Sequence, residues 1–289
     1  MREDEASVTA LRVAQQRAAH QLFDAPQVFA DGLAVPILGA EAEEQMRGSA
    51  ADYRTPFALD FRAAVVARSR FCEDCVAAAM ANGLRQVVIL GAGLDTTAYR
   101  GILPADAKVY EVDHPATQAW KQERLRTAGI AIPPSVAFVA IDFDKTTLLD
   151  GLANGRIDLA RPTLFSWLGV TYYLPAATVT ATLSAIGLLA TGGELVFDYF
   201  EPPQNFHVVE RAGFESFGKE AAAAGEPWKS FFQPADMAAK LAASRFADIE
   251  DSGSDAMAAR YFTGRTDGLT PTGPMRFVRA RIGGRRHVE

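Results

Sequence analysis

Residues 86–100 read QVVILGAGLDTTAYR, and this stretch decides the fold. The apolar run 87–90 is short and rich in β-branched residues, which predicts a parallel strand that is covered on both faces. Gly91 and Gly93 follow at once, and glycine lets a chain turn tightly where a ligand must contact bare backbone. A second strand pattern ends at Asp113, about 20 residues further on, where a carboxylate can accept hydrogen bonds from a ribose diol. The stretch therefore predicts a nucleotide site.

Strand and helix patterns alternate along the rest of this region. Such strict alternation predicts a doubly wound α/β fold with a mostly parallel sheet. A final pair of strands completes a sheet of seven. The predicted strands are 86–90, 107–112, 136–141, 162–168, 193–200, 245–250 and 275–282, and helices at 95–101, 115–128, 145–153 and 175–190 connect the first five.

The N-terminal part, residues 1–60, is predicted to form a helical cap. Apolar residues recur at helical spacing within 5–23. Thr55 and Pro56 are typical of a helix start, because threonine caps the first turn and proline suits the first helical position. Gly83 ends this helix after about 27 residues, just before the first strand of the sheet.

Residues 61–289 are predicted to form the nucleotide-binding domain. Within this domain, 201–245 becomes helical and rich in alanine and aromatic residues, including Trp228. We interpret this segment as an insertion that covers the substrate. The aromatic-rich part of the chain, 199–232, is expected to wall the substrate pocket, because such pockets are mostly apolar.

Composition narrows the class of protein. The chain has 289 residues, of which 49% are hydrophobic and 22% charged, with a net charge of −6. These values are typical of a soluble globular protein with a large core, and the acidic balance argues against a nucleic-acid-binding role. No apolar run reaches the roughly 18 residues of a membrane span, and the acidic start is unlike a signal peptide. We expect a cytoplasmic protein, monomeric or homodimeric, that acts on a small-molecule or carrier-bound substrate.

Cys72 and Cys75 are the only cysteines, and their C-x-x-C spacing invites a redox or zinc interpretation. They lie inside a helical pattern rather than at a helix N-terminus that would stabilise a thiolate, and no second pair completes a zinc site. We expect two packed thiols. No histidine and carboxylate cluster has convincing metal-ligand spacing either, so no metal is predicted.

The glycine turn distinguishes between two cofactors. A dinucleotide fingerprint has a third glycine where this chain has Thr96. Asp95 in the same turn would repel a pyrophosphate, which favours a cationic ligand. S-adenosylmethionine brings an ammonium and a sulfonium, and its ribose suits Asp113. The alternatives are an NAD(P)-dependent oxidoreductase and a protein that binds S-adenosylmethionine without catalysis, and Asp95 also suits an ordinary helix N-cap.

Two further residues follow the third predicted strand. Asp142 is placed to face the edge of the adenine, and Phe143 to cover its ring. Gly91, Asp113 and Asp142 thus end three successive strands, and open α/β sheets bind their ligands at this edge. His114, next to Asp113, is expected near the cofactor.

The chain resembles the leucine carboxyl methyltransferase-like group of class I S-adenosylmethionine-dependent methyltransferases. The resemblance is carried by VILGAGLDTTAYR at 88–100, YEVDHP at 110–115 and PTLFSWLGVTYYLP at 162–175, and FADGLA at 29–34 is similar to the family's N-terminal signature. Bacterial members of this group include O-methyltransferases of polyketide and other secondary metabolism. Eukaryotic protein-phosphatase methyltransferases carry a glutamate where this chain has Leu168, which argues against a phosphatase tail as the substrate.

The resemblance implies roles for individual residues. Arg68, with Arg70 as its neighbour and alternative, matches the arginine that pairs with the cofactor's carboxylate. Tyr173 matches a tyrosine beside the methyl-transfer centre. Gly91 and Gly93 match the backbone at the methionine moiety, Asp113 the ribose ligand and Asp142 the acid near adenine.

The acceptor decides which further groups are needed. A carboxylate acceptor needs no base, but a cation such as Arg100 or Arg211 must hold it. A hydroxyl acceptor needs a base. His207 is the best placed of the four histidines, His20, His114, His207 and His287, and tyrosines 172, 173 and 199 are further candidates.

Overall fold

The computed structural model describes residues 7–141, 146–189, 191–206, 208–223 and 225–283. Its seven strands form one sheet in the order β3-β2-β1-β4-β5-β7-β6. They are β1 (Gln86–Leu90), β2 (Lys108–Asp113), β3 (Val136–Ala140), β4 (Leu164–Trp167), β5 (Glu194–Phe200), β6 (Phe246–Ser252) and β7 (Met275–Ile282).

The first five strands are parallel, and β7 lies antiparallel between β5 and β6. β1 pairs with β2 on one side and with β4 on the other. The strand order therefore reverses beside β1, and ligands bind outside the carboxyl ends of the strands at such a switch point. The predicted fold, a mostly parallel seven-stranded α/β sheet, is confirmed.

Helices cover both faces of the sheet. Within the described residues they are α1 (Val8–Phe23), α2 (Ala40–Gly48), α3 (Pro56–Ala81), α4 (Pro115–Thr127), α5 (Leu148–Asn154), α6 (Ala176–Gly187), α7 (Val208–Ala223), α8 (Pro234–Ala243) and α9 (Ser254–Tyr261). The helix predicted at 95–101 is wrong in extent, because only a 3-10 turn at Thr97–Tyr99 forms. Gly101, with a φ of 68°, stops the helix there. The sequence analysis missed α9.

The helix α3 begins as its sequence indicates. The side chain of Thr55 accepts a hydrogen bond from Ala58 N, and Pro56 occupies the first helical position. The helix runs without a break for 26 residues, so the boundary placed at residue 60 lies inside it. The division into a cap and a domain stays a prediction.

The core has two layers because neighbouring side chains of a strand point to opposite faces. Val87 and Ile89 of β1 pack into the layer that contains Phe71 of α3. Val88 and Leu90 pack into the opposite layer, which α6 and other helices cover. This double burial explains why β1 reads as a continuous apolar run.

A buried polar network fastens the end of α1 to α3. Arg62 donates to Asp24 through Nε to Oδ2 at 2.7 Å and through Nη2 to Oδ1 at 2.9 Å. His20 Nδ1 lies 2.8 Å from the same carboxylate, and its Nε2 accepts from Val28 N at 3.0 Å. Both ring nitrogens of His20 are thus occupied, which removes this histidine from the candidate bases.

Cys72 and Cys75 are free and buried, which confirms the prediction of packed thiols. Cys72 Sγ lies 3.4 Å from Ser166 Oγ. Burial raises the pKa of Cys72 to about 12, so this thiol is not a thiolate nucleophile near neutral pH. None of the described helices is both long enough and apolar enough to cross a membrane.

The substitution Asp24→Asn should lower the free energy of unfolding by about 3–5 kcal/mol, because it leaves the buried Arg62 without its counter-charge. Chemical denaturation at neutral pH measures this loss. Asp106→Asn is the matched control, since Asp106 pairs with Arg85 while 71% of its side chain is exposed, and it should cost at most about 1 kcal/mol. Equal losses in the two variants would contradict the assignment.

The ion pair between Asp24 and Arg62 also predicts that the stability of the fold depends on pH. Burial alone would raise the pKa of Asp24, but the hydrogen bonds from His20 and Arg62 outweigh burial and lower it below 3.8. The folded carboxyl therefore keeps its charge at a pH where the unfolded one is protonated. Its stabilisation is present above the unfolded pKa and is lost as the pH falls through the folded pKa. The gap in stability between wild type and Asp24→Asn should narrow as the solution is acidified.

Candidate cofactor site and active site

The glycine turn after β1 lies against the end of β2. Gly91 N and Ala92 N both donate to Val112 O, at 2.8 and 3.2 Å. Gly91 has a φ of 68°, and a Cβ atom there would lie 2.4 Å from Cγ2 of Val170. A larger residue would be strained and would clash, so this position requires glycine. The turn presents bare backbone to the space above the sheet.

Asp113 joins this turn to the start of α4. Its Oδ2 accepts from Gly93 N at 2.6 Å, and its Oδ1 accepts from His114 N at 2.7 Å. Burial raises the pKa of Asp113, although both backbone N–H groups act in the opposite direction. Each carboxylate oxygen has a second lone pair, so the side chain keeps acceptor capacity for a ribose diol.

His114 caps α4. Its Nδ1 accepts from Ala116 N at 3.3 Å, so this nitrogen satisfies one of the free N–H groups of the first helical turn. The ring also lines the cavity described below.

Asp95 is an ionised acid in the glycine turn. Its Oδ1 accepts from Thr97 N at 2.8 Å, which is an Asx-turn; the N-cap of the 3-10 turn that follows is Thr96. Burial alone would raise its pKa, but the charges of Lys121 and Arg17 outweigh burial and lower it. A negative charge beside the glycine backbone disfavours a pyrophosphate and favours a cationic group.

Arg68 lies on α3 below the turn, and only 4% of it is exposed. Its Nη1 donates to Asp198 Oδ2 and to the hydroxyl of Tyr172, both at 3.2 Å. Asp198 also accepts from Gly169 N at 2.6 Å. In the part of the chain that the structure describes, Arg68 Nε is buried without a hydrogen-bond partner. The guanidinium is therefore anchored on one side and retains an unused donor.

These groups meet in one cavity of about 350 Å³, which we call the cofactor cavity. It lies above the carboxyl ends of β1, β2 and β4. Seven of the residues predicted from the sequence line it: Arg68, Gly91, Gly93, Asp95, Asp113, His114 and Tyr173.

Helix α1 closes one side of the cofactor cavity. Thr9 and Arg17 line the cavity, and Thr9 N donates to Glu226 Oε2 at 2.9 Å. Glu226 also lines the cavity, as does Lys229. The sequence analysis missed these residues. Helical periodicity locates α1, but no local signal indicates that it packs against a segment more than two hundred residues away.

The side chain of Arg100, predicted to be a catalytic residue, lies in a group of ion pairs. Its Nη2 pairs with Glu73, and its Nε lies 3.7 Å from Asp31. The guanidinium also lies 5.0 Å from the ring centroid of Phe29. Because these acids hold Arg100 among the residues behind the glycine turn, it is absent from the described lining of the cavity.

Other predicted residues also fall outside the cavity or outside the description. Arg70, the alternative to Arg68, pairs with Asp74 at 2.9 Å on a more exposed face of α3. Asp142, Phe143 and His207 lie outside the described residues, so their roles stay predictions. Within the described ranges, no group of three or more histidine, cysteine or acidic residues is arranged to hold a metal ion.

A second cavity, which we call the aromatic cavity, adjoins the first. Its volume is about 330 Å³, and it shares Thr9, Val13 and Tyr173 with the cofactor cavity. Burial raises the pKa of Tyr173, so its hydroxyl is protonated at neutral pH. Five phenylalanines line the aromatic cavity: Phe57, Phe61, Phe200, Phe214 and Phe217. The last three lie in the stretch that the sequence predicted to wall a substrate pocket.

Sequence comparisons place this chain among the S-adenosylmethionine-dependent methyltransferases. The family model for leucine carboxyl methyltransferase matches residues 10–187. This chain belongs to that family. Its sequence is 30% identical over 302 residues to YktD of Bacillus subtilis (strain 168), named as an S-adenosyl-L-methionine-dependent methyltransferase, covering 97% of this chain and 99% of YktD.

Other comparisons agree. A Mycobacterium avium (strain 104) protein of the same designation is 36% identical over 143 residues, which cover 49% of this chain and 46% of that protein. The crystal structure of a protein from Thermobifida fusca YX superposes with a TM-score of 0.57 at 16% identity, covering 86% of this chain and 92% of that one. A DUF574 family protein from Streptomyces avermitilis gives a TM-score of 0.56 at 18% identity, covering 96% and 98%. These two structures show the fold alone.

Family membership assigns the cofactor as S-adenosylmethionine rather than NAD(P). The described residues suit this molecule: a glycine turn where a Cβ would clash, an ionised acid, a strand-end carboxylate and an arginine with an unused buried donor.

The substitution Asp113→Ala should weaken binding of S-adenosylmethionine by about 1.5–3 kcal/mol, because charge-assisted hydrogen bonds to the ribose are lost. This corresponds to a roughly ten- to hundredfold higher Kd. Isothermal titration calorimetry measures the change, with Asp106→Ala as the control for removing an exposed aspartate. A Kd that stays at the wild-type value in a folded Asp113→Ala protein would show that the ribose is bound elsewhere.

Proposed function

We propose that this methyltransferase transfers the methyl group of S-adenosylmethionine to an oxygen of a small-molecule or carrier-bound metabolite in secondary metabolism. The acceptor oxygen is either a carboxylate or a hydroxyl. The observation that carries the proposal is the meeting of two cavities at Tyr173, one lined by the predicted cofactor residues and one by phenylalanines. The alternative is a protein that binds the cofactor without catalysis.

Each proposed cofactor residue binds a different part of S-adenosylmethionine. Arg68 pairs with the carboxylate of the methionine moiety, since its buried Nε is unused. Asp95 and the backbone at Gly91 and Gly93 receive the cationic part, and Asp113 accepts from the ribose hydroxyls. His114 borders the ribose. Asp142 and Phe143 are proposed at the adenine from their sequence position alone.

Bound S-adenosylmethionine supplies a methyl group on a positively charged sulfur. The protein must align an acceptor oxygen with that methyl carbon and exclude water, and alignment alone contributes much of the rate. Tyr173, a half-buried and protonated donor at the junction, is proposed to hold the acceptor oxygen. Its hydrogen bond occupies one lone pair of the oxygen and leaves another for the methyl carbon.

The proton balance depends on the acceptor. A carboxylate forms the new carbon–oxygen bond without losing a proton. A hydroxyl loses one, and His207 is the base proposed from the sequence. Arg100, a cation predicted to hold a carboxylate acceptor, already pairs with Glu73 and Asp31. A different cation would therefore have to hold such an acceptor. The cytoplasmic location, the oligomeric state and the absence of nucleic acid or metal as partners stay predictions.

A screen of phenols and carboxylic acids with S-adenosylmethionine tests the proposal. Mass detection should find a methylated acceptor and an equal amount of S-adenosylhomocysteine. Binding of S-adenosylmethionine without transfer to any acceptor would favour the non-catalytic alternative.

With an acceptor from that screen, Tyr173→Phe should lower kcat by about two- to tenfold, because one neutral hydrogen bond to the acceptor is lost. The Kd for S-adenosylmethionine should not change. Tyr110→Phe on β2 is the matched control, since Tyr110 is not among the residues that line either cavity. A wild-type kcat in Tyr173→Phe would contradict the role of its hydroxyl.

A further inference from the structure

The aromatic cavity has a mouth built from three phenylalanine rings. The ring centroids of Phe61 and Phe217 lie 4.6 Å apart, and those of Phe57 and Phe217 lie 5.7 Å apart. Phe57 is 42% exposed. A half-exposed phenylalanine beside an open apolar cavity is unfavourable in water, and a ligand that covers its ring removes that cost.

The inner end of the cavity is also aromatic. Phe200 and Tyr172 stack with centroids 3.9 Å apart and planes 15° apart. Phe214 stands edge-on to Phe200, at 4.9 Å and 89°. These rings present both faces and edges, the surfaces that pair well with another aromatic ring.

The cavity offers little to an anion. Among its described lining residues the charged ones are Arg12 and Asp60. Arg12 Nη1 already pairs with Glu220 at 3.4 Å, and Asp60 accepts from Thr272 N at 2.7 Å. Arg68 of the cofactor cavity pairs with Asp198, and in the proposed function its remaining donor binds the carboxylate of the cofactor. A carboxylate that entered this space would lose its hydration beside the carboxylate of Asp60, and the cation of the described lining, Arg12, is partly exposed and shared with Glu220.

We propose that the aromatic cavity binds the methyl acceptor as an uncharged, planar aromatic molecule. This inference rests on the proposed function, because the shared residue Tyr173 is what connects the bound molecule to the cofactor. The volume of about 330 Å³ is at the small end of ligand pockets and is sufficient for a fused two-ring molecule. Phe57, Phe61 and Phe217 face its ring system, and its polar substituent lies towards Tyr173.

Three probes of one skeleton test the inference by calorimetry on protein saturated with S-adenosylhomocysteine. 2-Naphthol is planar and uncharged, decahydro-2-naphthol is uncharged but not planar, and 2-naphthoate is planar but charged. We expect 2-naphthol to bind tightest. The saturated alcohol should bind about two- to tenfold more weakly for lack of ring contacts, and the carboxylate at least about tenfold more weakly.

Variants locate the binding. Phe61→Leu and the more exposed Phe57→Leu should each weaken the binding of 2-naphthol about two- to tenfold. Both should leave the affinity for S-adenosylhomocysteine unchanged. Phe138→Leu on the far strand β3 is the control. Equal or tighter binding of 2-naphthoate, equal binding of the saturated alcohol, or no binding of 2-naphthol would overturn the inference.

The outcome is separate from that of the proposed function. Methyl transfer to other acceptors without binding of 2-naphthol would support the proposed methyltransferase function and contradict the inference that the acceptor is aromatic. If the three probes bind in the expected order but no acceptor is methylated, the preference of the cavity for an uncharged aromatic ligand would be supported and the proposed methyl transfer would be contradicted.

Discussion

The carboxylate of Asp113 holds the site together. It accepts from Gly93 N at 2.6 Å and from His114 N at 2.7 Å, so one side chain joins the turn after β1 to the start of the helix after β2. Without it, two partly buried backbone N–H groups would lose these partners, which is costly. Gly91 adds a steric constraint on the same turn, because a Cβ atom there would lie 2.4 Å from Val170. The shape of the cofactor cavity depends on both.

Much of the fold is predictable from the sequence because its signals are local. The apolar run of β1, the glycine turn and the cap at Thr55 each act over a few residues, and each forms as expected. The helix predicted at 95–101 fails because Gly101, with positive φ, ends it after one turn. The residues proposed to bind the cofactor at the ends of β1 and β2 come together for a related reason: parallel strands bring their carboxyl ends to one edge.

The rest of the site depends on contacts that no local pattern encodes. An arginine such as Arg100 can bind an anion, but tertiary packing places Glu73 and Asp31 beside its guanidinium, and these carboxylates neutralise its charge. Phe57 and Phe61 read as an ordinary apolar helix face, and only the approach of α7 makes them a cavity wall. Thr9 enters the site because Glu226 accepts its N–H. Substrate pockets are therefore harder to predict than the cofactor turn.

The proposed binding of the cofactor can be checked in a crystal structure of the protein with S-adenosylhomocysteine. We expect the ribose hydroxyls within hydrogen-bond distance of Asp113, the amino-acid carboxylate at Arg68, and the sulfur pointing towards Tyr173 and the aromatic cavity. A ligand that lies in the cofactor cavity with its ribose away from Asp113, or its sulfur away from Tyr173, would contradict it.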